Sequence, residues 1–350
     1  MVYVTPFGRS ILRAGEHERK SATYRNCRRR ASGAWPPVAG GAVMLALVGP
    51  TAIGKTALSL EIAREFGCEI ISMDSMQVYR GMDIGTAKAT PEERALVPHH
   101  LLDIVNPDEP YNAARFVRDC RAAMADIRNR GKIPLITGGT GLYLRALNEG
   151  LFEVPAADPA IRERLRKRLA EEGRAALHAE LAALDPASAA RIHVNDTQRL
   201  LRALEIHAAT GEPWSAHLAR QKRAGGQGRA PRLLIGLTCE RALLYERIDR
   251  RTARMMGEPF RREVAGLLAA GYGPELPAMQ SLGYRHMLRQ MAGDWPPDTA
   301  RDMLARDTRH YAKRQLTWFR READIRWFDR EDADGVLRLA ARFVEGKSTS

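Results

Sequence analysis

Apolar positions along the chain follow two rhythms. Short, nearly unbroken apolar runs read as buried strands: Val43-Met44-Leu45-Ala46-Leu47-Val48, Glu69-Ile70-Ile71-Ser72-Met73, Leu101-Leu102-Asp103-Ile104-Val105, Ile133-Pro134-Leu135-Ile136, Leu233-Leu234-Ile235-Gly236-Leu237 and the terminal Ile325-Arg326-Trp327-Phe328. Pro134 implies that its run is a strand start or an edge. Between the runs, apolar residues at three- and four-residue spacing predict helices. One covers Ala57 to Phe66 and is stopped by Gly67. Another covers Ala113 to Asn129, with Phe116, Val117, Cys120, Met124 and Ile127 on one face. Residues 81–100 read as a loop. From about 155 to 229 only helical spacing remains: 158–172, 174–184, and a third that Asp196 can cap and Gly211 ends. Gly225-Gly226-Gln227-Gly228 reads as a hinge or loop, and a helix from about Arg241 to Met256 follows the return to the sheet.

The expected fold is therefore α/β, a P-loop NTPase-like parallel sheet flanked by helices with an inserted all-helical lobe. The expected boundaries are 1–40 for a basic N-terminal extension, 41–154 and 230–345 for the core with its C-terminal helices, and 155–229 for the insertion.

Charge changes this picture by suggesting a partner. The 350 residues carry a formal net charge of +13. Residues 1–40 hold eight Lys/Arg against Glu16 and Glu18, a net +6, so the rest of the chain still carries +7. That balance suggests an anionic partner, nucleic acid first. Cys27, Cys68, Cys120 and Cys239 are dispersed and lack zinc spacing, which predicts reduced thiols and a cytoplasmic protein. His99-His100 has no ligands at metal spacing nearby. No apolar run approaches membrane-spanning length, so no membrane partner is expected. The first 40 residues lack a secretory h-region and read as a basic arm, a transit-like leader or an upstream extension of the true start.

The strongest chemical signal is Gly49-Pro50-Thr51-Ala52-Ile53-Gly54-Lys55-Thr56, which fits G-x-x-x-x-G-K-[ST] between a predicted strand and a predicted helix. It predicts a polyphosphate site. Asp74, in Asp74-Ser75-Met76-Gln77, follows the second strand, at the sheet edge where open α/β folds bind ligands. It also reads as a turn or capping residue. Thr137-Gly138-Gly139-Thr140-Gly141-Leu142-Tyr143 is a second glycine-rich strand-to-helix turn and offers the Thr140 hydroxyl. Arg247, Arg250, Arg251 and Arg254 are placed to clamp phosphate. Arg162, Gln198, Arg199 and Arg202 read equally as a nucleic-acid surface or as solvated helix faces. Bases alternate with aromatics from Thr308 to Arg320, although Trp318 and Phe319 read as core.

Taken in order, these stretches resemble the tRNA dimethylallyltransferases, also called tRNA isopentenyltransferases. The matching segments are Gly49–Thr56, Asp74–Gln77, Asp83–Lys88, His100–Asp103, Gly138–Tyr143, Asp196–Glu205, Gly283-Tyr284-Arg285, and Tyr311–Gln315 with Thr317-Trp318. Val194 stands where the family usually has Pro, and Pro259 near a position that is usually Gly. No C-terminal zinc finger is present, as in the bacterial type.

The resemblance implies transfer of a dimethylallyl group from dimethylallyl diphosphate to N6 of the adenosine 3′ of the anticodon. The P-loop and Lys55 would hold the diphosphate, with Mg2+ on Thr56 and Arg251 in the clamp. Asp74 would be the general base and Thr140 a hydrogen-bonding partner of the reacting groups. The tRNA anticodon stem-loop would meet Asp74, Ser75, Met76, Gln77, Thr140, Arg162, Gln198, Arg199, Leu200, Leu201, Arg202, Gly283, Tyr284 and Arg285. A monomer is expected. A P-loop small-molecule kinase, an isopentenyltransferase acting on free adenine nucleotides and a non-catalytic RNA-binding protein are the competing readings.

Overall fold

The computed structural model describes residues 44–150, 158–224 and 232–346. The readings made above for residues 1–40 and for Gly225–Gly228 lie outside them. Strand β1 (Met44–Val48) is apolar and buried at every position, as an inner parallel strand must be. The P-loop turns the chain into α1 (Lys55–Phe66), which buries Leu58, Ile62, Ala63 and Phe66 and ends at left-handed Gly67. Strand β2 (Cys68–Met73) follows. Helix α2 (Pro91–Leu96), strand β3 (His99–His100), helix α3 (Ala113–Asn129) and strand β4 (Ile133–Gly138) complete this half.

After the helical insertion come β5 (Arg232–Thr238), α9 (Arg241–Met255), α10 (Glu258–Ala269), α11 (Tyr284–Met291), α12 (Pro297–Phe319), β6 (Ile325–Asp329) and α13 (Ala333–Val344). The strands form one six-stranded sheet in the order β3-β2-β4-β1-β5-β6. Every described pairing is parallel. Leu45, Leu47, Ile62, Phe66, Ile70, Leu135 and Ile235 are among the residues of the core on the α1 side. A second cluster gathers Val78, Met82, Phe260, Val264, Met279 and Tyr284 under the loop that follows β2.

Two local expectations need correction, and a third is narrowed. The third strand is His99–His100, paired with Ile70 and Ile71, rather than Leu101–Val105. Leu101 and Asp103 have φ of 62° and 56°, a left-handed backbone that no strand tolerates. Charge pins that turn: Asp103 accepts from the buried Lys88 ammonium at 2.6 Å and from Arg94 at 2.7 Å. Residues 81–100 also contain α2, started by a capping box in which Thr90 and Glu93 satisfy each other's backbone N–H. Pro134 is the second residue of β4, so it marks a strand start, but β4 is an inner strand between β2 and β1 and not an edge. Pro259 falls in the first turn of α10, where a missing N–H leaves no intrahelical bond unmade. Val194 leaves its turn closed, with the Asp196 N–H donating to the His193 carbonyl at 2.7 Å.

The chain divides into two compact units. The second comprises residues 112–118 and 141–229, so it begins before the all-helical stretch that the sequence marks out. It contains α4 (Gly141–Glu149), α5 (Pro159–Leu184), α6 (Pro186–Ala189), α7 (Thr197–Thr210) and α8 (Trp214–Ala224). Gly173, at φ 81° and ψ 171°, breaks α5 into the two helices expected from the sequence. Its core holds Leu165, Leu177, Leu181, Ile192, Leu200 and Leu204. Buried Asp185 accepts the Ser188 and Ser215 N–H groups at 3.0 and 2.9 Å and ties α6 to the start of α8.

Gly138 sets the tightest contact in the sheet. A Cβ there would press into the backbone carbonyl of Met73 on β2. Gly138→Ala should lower unfolding free energy by about 1–3 kcal/mol or more, since neither strand can yield. Urea unfolding monitored by circular dichroism checks this.

Candidate active site

The P-loop backbone is built for an anion. Gly49, Ala52 and Gly54 all have positive φ. Helix α1 starts at Gly54 with no side-chain cap and no acidic residue in its first turn. Its leading N–H groups and the positive end of its dipole are thus left for a ligand. Lys55 Nζ lies within the loop and donates to the Gly49 and Pro50 carbonyls at 3.0 and 2.8 Å.

Arginines brace the loop. Arg247 Nε donates to the Ala52 carbonyl at 2.8 Å, and Arg330 Nε to that of Ile53 at 3.3 Å. Arg251 donates to Thr51 Oγ1 at 3.2 Å. Arg250 instead pairs with Glu246 along α9, and Arg254 is exposed. Of the four candidate clamps, Arg247 and Arg251 therefore reach the loop, and Arg251 does so by a side-chain contact that a phosphate oxygen can displace.

Parallel pairing brings the second glycine turn alongside. Gly138 sits opposite Val48 on one side and Met73 on the other. The residues that follow these three, the P-loop, Thr140 and Asp74, consequently emerge at one level. Asp74 Oδ1 accepts the Met76 and Gln77 N–H groups at 2.8 and 3.3 Å. This turn fixes the carboxylate and leaves Oδ2 for a substrate. The Ser75 N–H donates to Thr140 Oγ1 at 3.3 Å, joining the two strand ends directly. Gln77 bonds the Ser72 hydroxyl and the Thr86 and Ala87 carbonyls, tying Asp74–Gln77 to the Asp83–Lys88 loop.

Two residues without an assigned role in the sequence reading complete the cluster. Buried Gln315 on α12 accepts the Thr51 N–H at 2.8 Å and donates to the Gly139 carbonyl at 2.9 Å. Burial, and then the Asp74 carboxylate, push the phenol pKa of Tyr311, one turn earlier, above the ordinary range. The signal available in the sequence was the i, i+4 spacing of two polar side chains in an otherwise amphipathic helix.

The charges are strongly coupled. Burial, then the neighbouring Arg251, pull the Lys55 pKa down to about 7, opposed by Asp74. Burial also holds Arg251 below its usual range, again opposed by Asp74. Two cations held close together in a desolvated pocket are a site waiting for an anion.

The structure separates the remaining predicted contacts. Leu200 is fully buried in the helical core, and Tyr284 is fully buried with its hydroxyl donating to Glu263 at 2.5 Å. Burial removes both from direct contact with a partner. Glu263 also accepts the N–H groups of Asp83, Ile84 and Gly85, so this pair supports the loop from beneath. Gly283 is buried as well, whereas Arg285 is partly exposed and held by Asp307 at 2.6 Å. Leu201 is half-buried against the helical core. In the helical unit, Arg162 and Arg202 share the buried Glu205 carboxylate at 2.7 and 3.2 Å, and exposed Arg199 pairs with Asp196.

No cluster of three or more His, Cys, Asp or Glu side chains that could hold a metal exists among the described residues. Thr56 is exposed at the head of α1. One hydroxyl and few protein ligands suit a hard cation such as Mg2+, which binds largely through substrate phosphates and water.

A protein-family model described as IPP transferase matches residues 77–322, and one described as isopentenyl transferase matches residues 42–99. The chain is 53% identical to a tRNA dimethylallyltransferase of Desulfotalea psychrophila over 302 residues, 86% of this chain and 96% of that protein. It is 50% identical to the tRNA dimethylallyltransferase of Geobacter metallireducens over 80% of this chain and 90% of that one. The crystal structure of the full-length tRNA isopentenylpyrophosphate transferase of Bacillus halodurans is similar, with 39% identity, a TM-score of 0.63, and coverage of 87% and 97%. So is a eukaryotic dimethylallyltransferase acting on tRNA, with 26% identity, a TM-score of 0.74, and coverage of 87% and 80%.

The depressed Lys55 pKa has a measurable consequence. Above about pH 7 the free site is largely uncharged at Lys55. A bound diphosphate favours the ammonium and raises the pKa, so binding takes up a proton, and affinity should fall as pH rises above 7. In 13C NMR of reductively methylated protein, one lysine should titrate near 7, vanish in Lys55→Met, and move towards 10 with saturating inorganic diphosphate.

Proposed function

The chain belongs to the tRNA dimethylallyltransferase family, and on that premise we propose that it moves a dimethylallyl group from dimethylallyl diphosphate to N6 of the adenosine 3′ of the anticodon in tRNA. The observation that carries this reading is the meeting of an anion cradle with a single oriented carboxylate, Asp74, across a shared contact at Thr140. The allylic C1–O bond breaks, and its electron pair leaves with the diphosphate. The N6–C1 bond forms, and the N6 proton goes to Asp74 Oδ2.

Each charge change in this reaction has a counterpart in the site. Negative charge builds on the leaving oxygens, where the α1 N–H groups, Lys55 and Arg251 converge. Mg2+ at Thr56 would add Lewis-acid stabilisation of the departing diphosphate. The adenine amine is a weak nucleophile because its lone pair is delocalised into the ring. Removing its proton as the new bond forms is the role for Asp74. An adenine stacked in an anticodon loop must leave the stack to reach this pocket, so base flipping is part of the cycle.

On the RNA side, we assign phosphate contacts to Arg162, Gln198, Arg199 and Arg202, with Arg285 in support. Glu205 holds Arg162 and Arg202 as a pair with their side chains part-exposed. Such a fixed pair suits adjacent phosphate oxygens. Asp74 to Gln77 and Thr140 would meet the flipped base. Cys68, Cys120 and Cys239 are free thiols, and no helix of the described residues is long and apolar enough to cross a membrane. Free thiols accord with a reducing, cytoplasmic setting.

Purified protein, Mg2+, dimethylallyl diphosphate and unmodified tRNA should yield prenylated adenosine in a nuclease digest read by mass spectrometry. ATP consumption without that product would return the kinase reading. Asp74→Asn should lower turnover by about 10²–10⁴-fold while tRNA affinity stays within a few-fold. Undiminished turnover would remove Asp74 as the base. tRNA affinity measured by filter binding should fall linearly with salt on log–log axes, with a slope set by the number of phosphates contacted. A flat line would count against the basic surface.

A further inference from the structure

The P-loop turns on Ala52, whose φ of 64° puts a residue with a side chain in the left-handed region. The two carbonyls that follow are each held by a guanidinium. Arg247 Nε donates to the Ala52 carbonyl at 2.8 Å, and Arg330 Nε to the Ile53 carbonyl at 3.3 Å. In a planar trans peptide the C=O and the N–H point in opposite directions. Fixing the Ile53 carbonyl therefore also aims the Gly54 N–H, on the far side of the same peptide. That N–H makes no backbone hydrogen bond among the described residues. Arg330 lies beyond the last sequence motif, Thr317-Trp318, and reaches the loop through the sheet. Gly236 pairs with Val48 on β1 and with Trp327 on β6. Three residues past Trp327, Arg330 thus leaves the sheet at the edge where the P-loop leaves it. Its own N–H donates to the Thr238 carbonyl at 2.8 Å and extends the β5–β6 ladder. Its side chain is 8% exposed and pairs with Glu331 through Nη1. Burial, and then Arg330, hold the Arg247 pKa below its usual range, so the two guanidinium groups stand close together.

We propose that Arg330 is a positioning residue for the diphosphate cradle: its Nε fixes the Ile53–Gly54 peptide so that the Gly54 N–H points at the diphosphate. The proposal rests on the prenyl-transfer reading and deepens it. Arg330 acts through the peptide and not by touching phosphate. A guanidinium on the carbonyl end also polarises the peptide, and the N–H at the other end becomes a stronger donor. Without the Nε bond the peptide is free to rotate, and the Gly54 N–H loses its aim. Arg247 does the same for the neighbouring Ala52–Ile53 peptide, so the end of β6 and the start of α9 together set the donors of the loop.

Side-chain length separates this role from a through-space charge. Gln Nε2 and Arg Nε are both bonded to Cδ, so Arg330→Gln keeps a donor in the same place and removes the charge. Arg330→Met keeps the length and has neither. Arg330→Lys keeps the charge and carries its nitrogen one bond further out. In titration calorimetry with Mg2+, Arg330→Met should weaken inorganic diphosphate binding about fivefold and Arg330→Gln less than about twofold, as for loss and retention of one hydrogen bond. Equal losses in Arg330→Gln and Arg330→Met, with Arg330→Lys unaffected, would overturn the proposal in favour of charge alone. Isoleucine labelled with 13C at the carbonyl and glycine labelled with 15N select the Ile-Gly pairs 53–54, 84–85 and 235–236 in an NMR spectrum. Diphosphate should shift the 53–54 signal in the unmodified and Arg330→Gln chains and shift it less in Arg330→Met, with the other two signals unmoved. The same shift in all three chains would overturn the proposal. If circular dichroism shows Arg330→Met unfolded, the other two variants decide: tighter binding by Arg330→Gln supports the role of Nε, and tighter binding by Arg330→Lys overturns it. An unmodified chain that does not bind inorganic diphosphate rejects the underlying reading, whereas one that binds it as every variant does rejects only the role of Arg330.

Discussion

The site depends on the register of three parallel strands. Val48, Gly138 and Met73 lie side by side across β1, β4 and β2, so the segments that follow them leave the sheet at the same height. One segment is the phosphate loop, one ends in Thr140 and one begins with Asp74. A parallel sheet delivers its strand ends to one edge without further construction. The glycine at the centre of this register is a steric requirement, because the Met73 carbonyl occupies the space a side chain would take. A slip of one residue in β4 would reverse its side-chain faces and separate Thr140 from Ser75.

That geometry concentrates charge, and the concentration carries a penalty in the free protein. Lys55 turns inward to the carbonyls of its own loop, and Arg251 sits near it with both groups pulled below their usual pKa. Asp74 partly offsets the repulsion. On the proposed function, an incoming diphosphate would exchange these compromised contacts for strong ones, and the exchange would be largest when the leaving group has taken up the bonding electrons. So placed, these groups would favour the later, more charged stage of C–O cleavage over the neutral-carbon ground state, which is the condition for lowering a barrier.

Much of this could be read before the fold was known. Gly49 to Thr56 announces itself because glycines at set spacing between an apolar strand and a helix have few other uses. The apolar runs found every strand but one. The exception, Leu101–Val105, looks like a strand because its side chains are apolar, yet Asp103 is drawn into a turn by Lys88 and Arg94, and no local pattern encodes that pull. Leu200 and Tyr284 failed as surface residues for the same reason: a motif lists neighbours in sequence, and burial is decided by the other side of the helix. Gln315 lies 264 positions from Thr51, a distance over which periodicity carries no information.

Charge counting also overstates the surface available to RNA. The net charge of +13 invites a picture of free guanidinium groups, but Arg162 and Arg202 are committed to Glu205, Arg168 to Glu172 and Glu180, and Arg285 to Asp307. A committed arginine still attracts phosphate, because its carboxylate partner leaves part of the guanidinium exposed and fixes the plane of the rest. What is lost in long-range field is regained in orientation, since less rotamer entropy remains to be lost when RNA arrives. A base that must be drawn from its stack and held against one carboxylate needs a substrate fixed in orientation more than one bound tightly from afar. The same preference for placement over raw attraction runs through the catalytic cluster, where Gln315, with no charge, joins the two phosphate-facing turns.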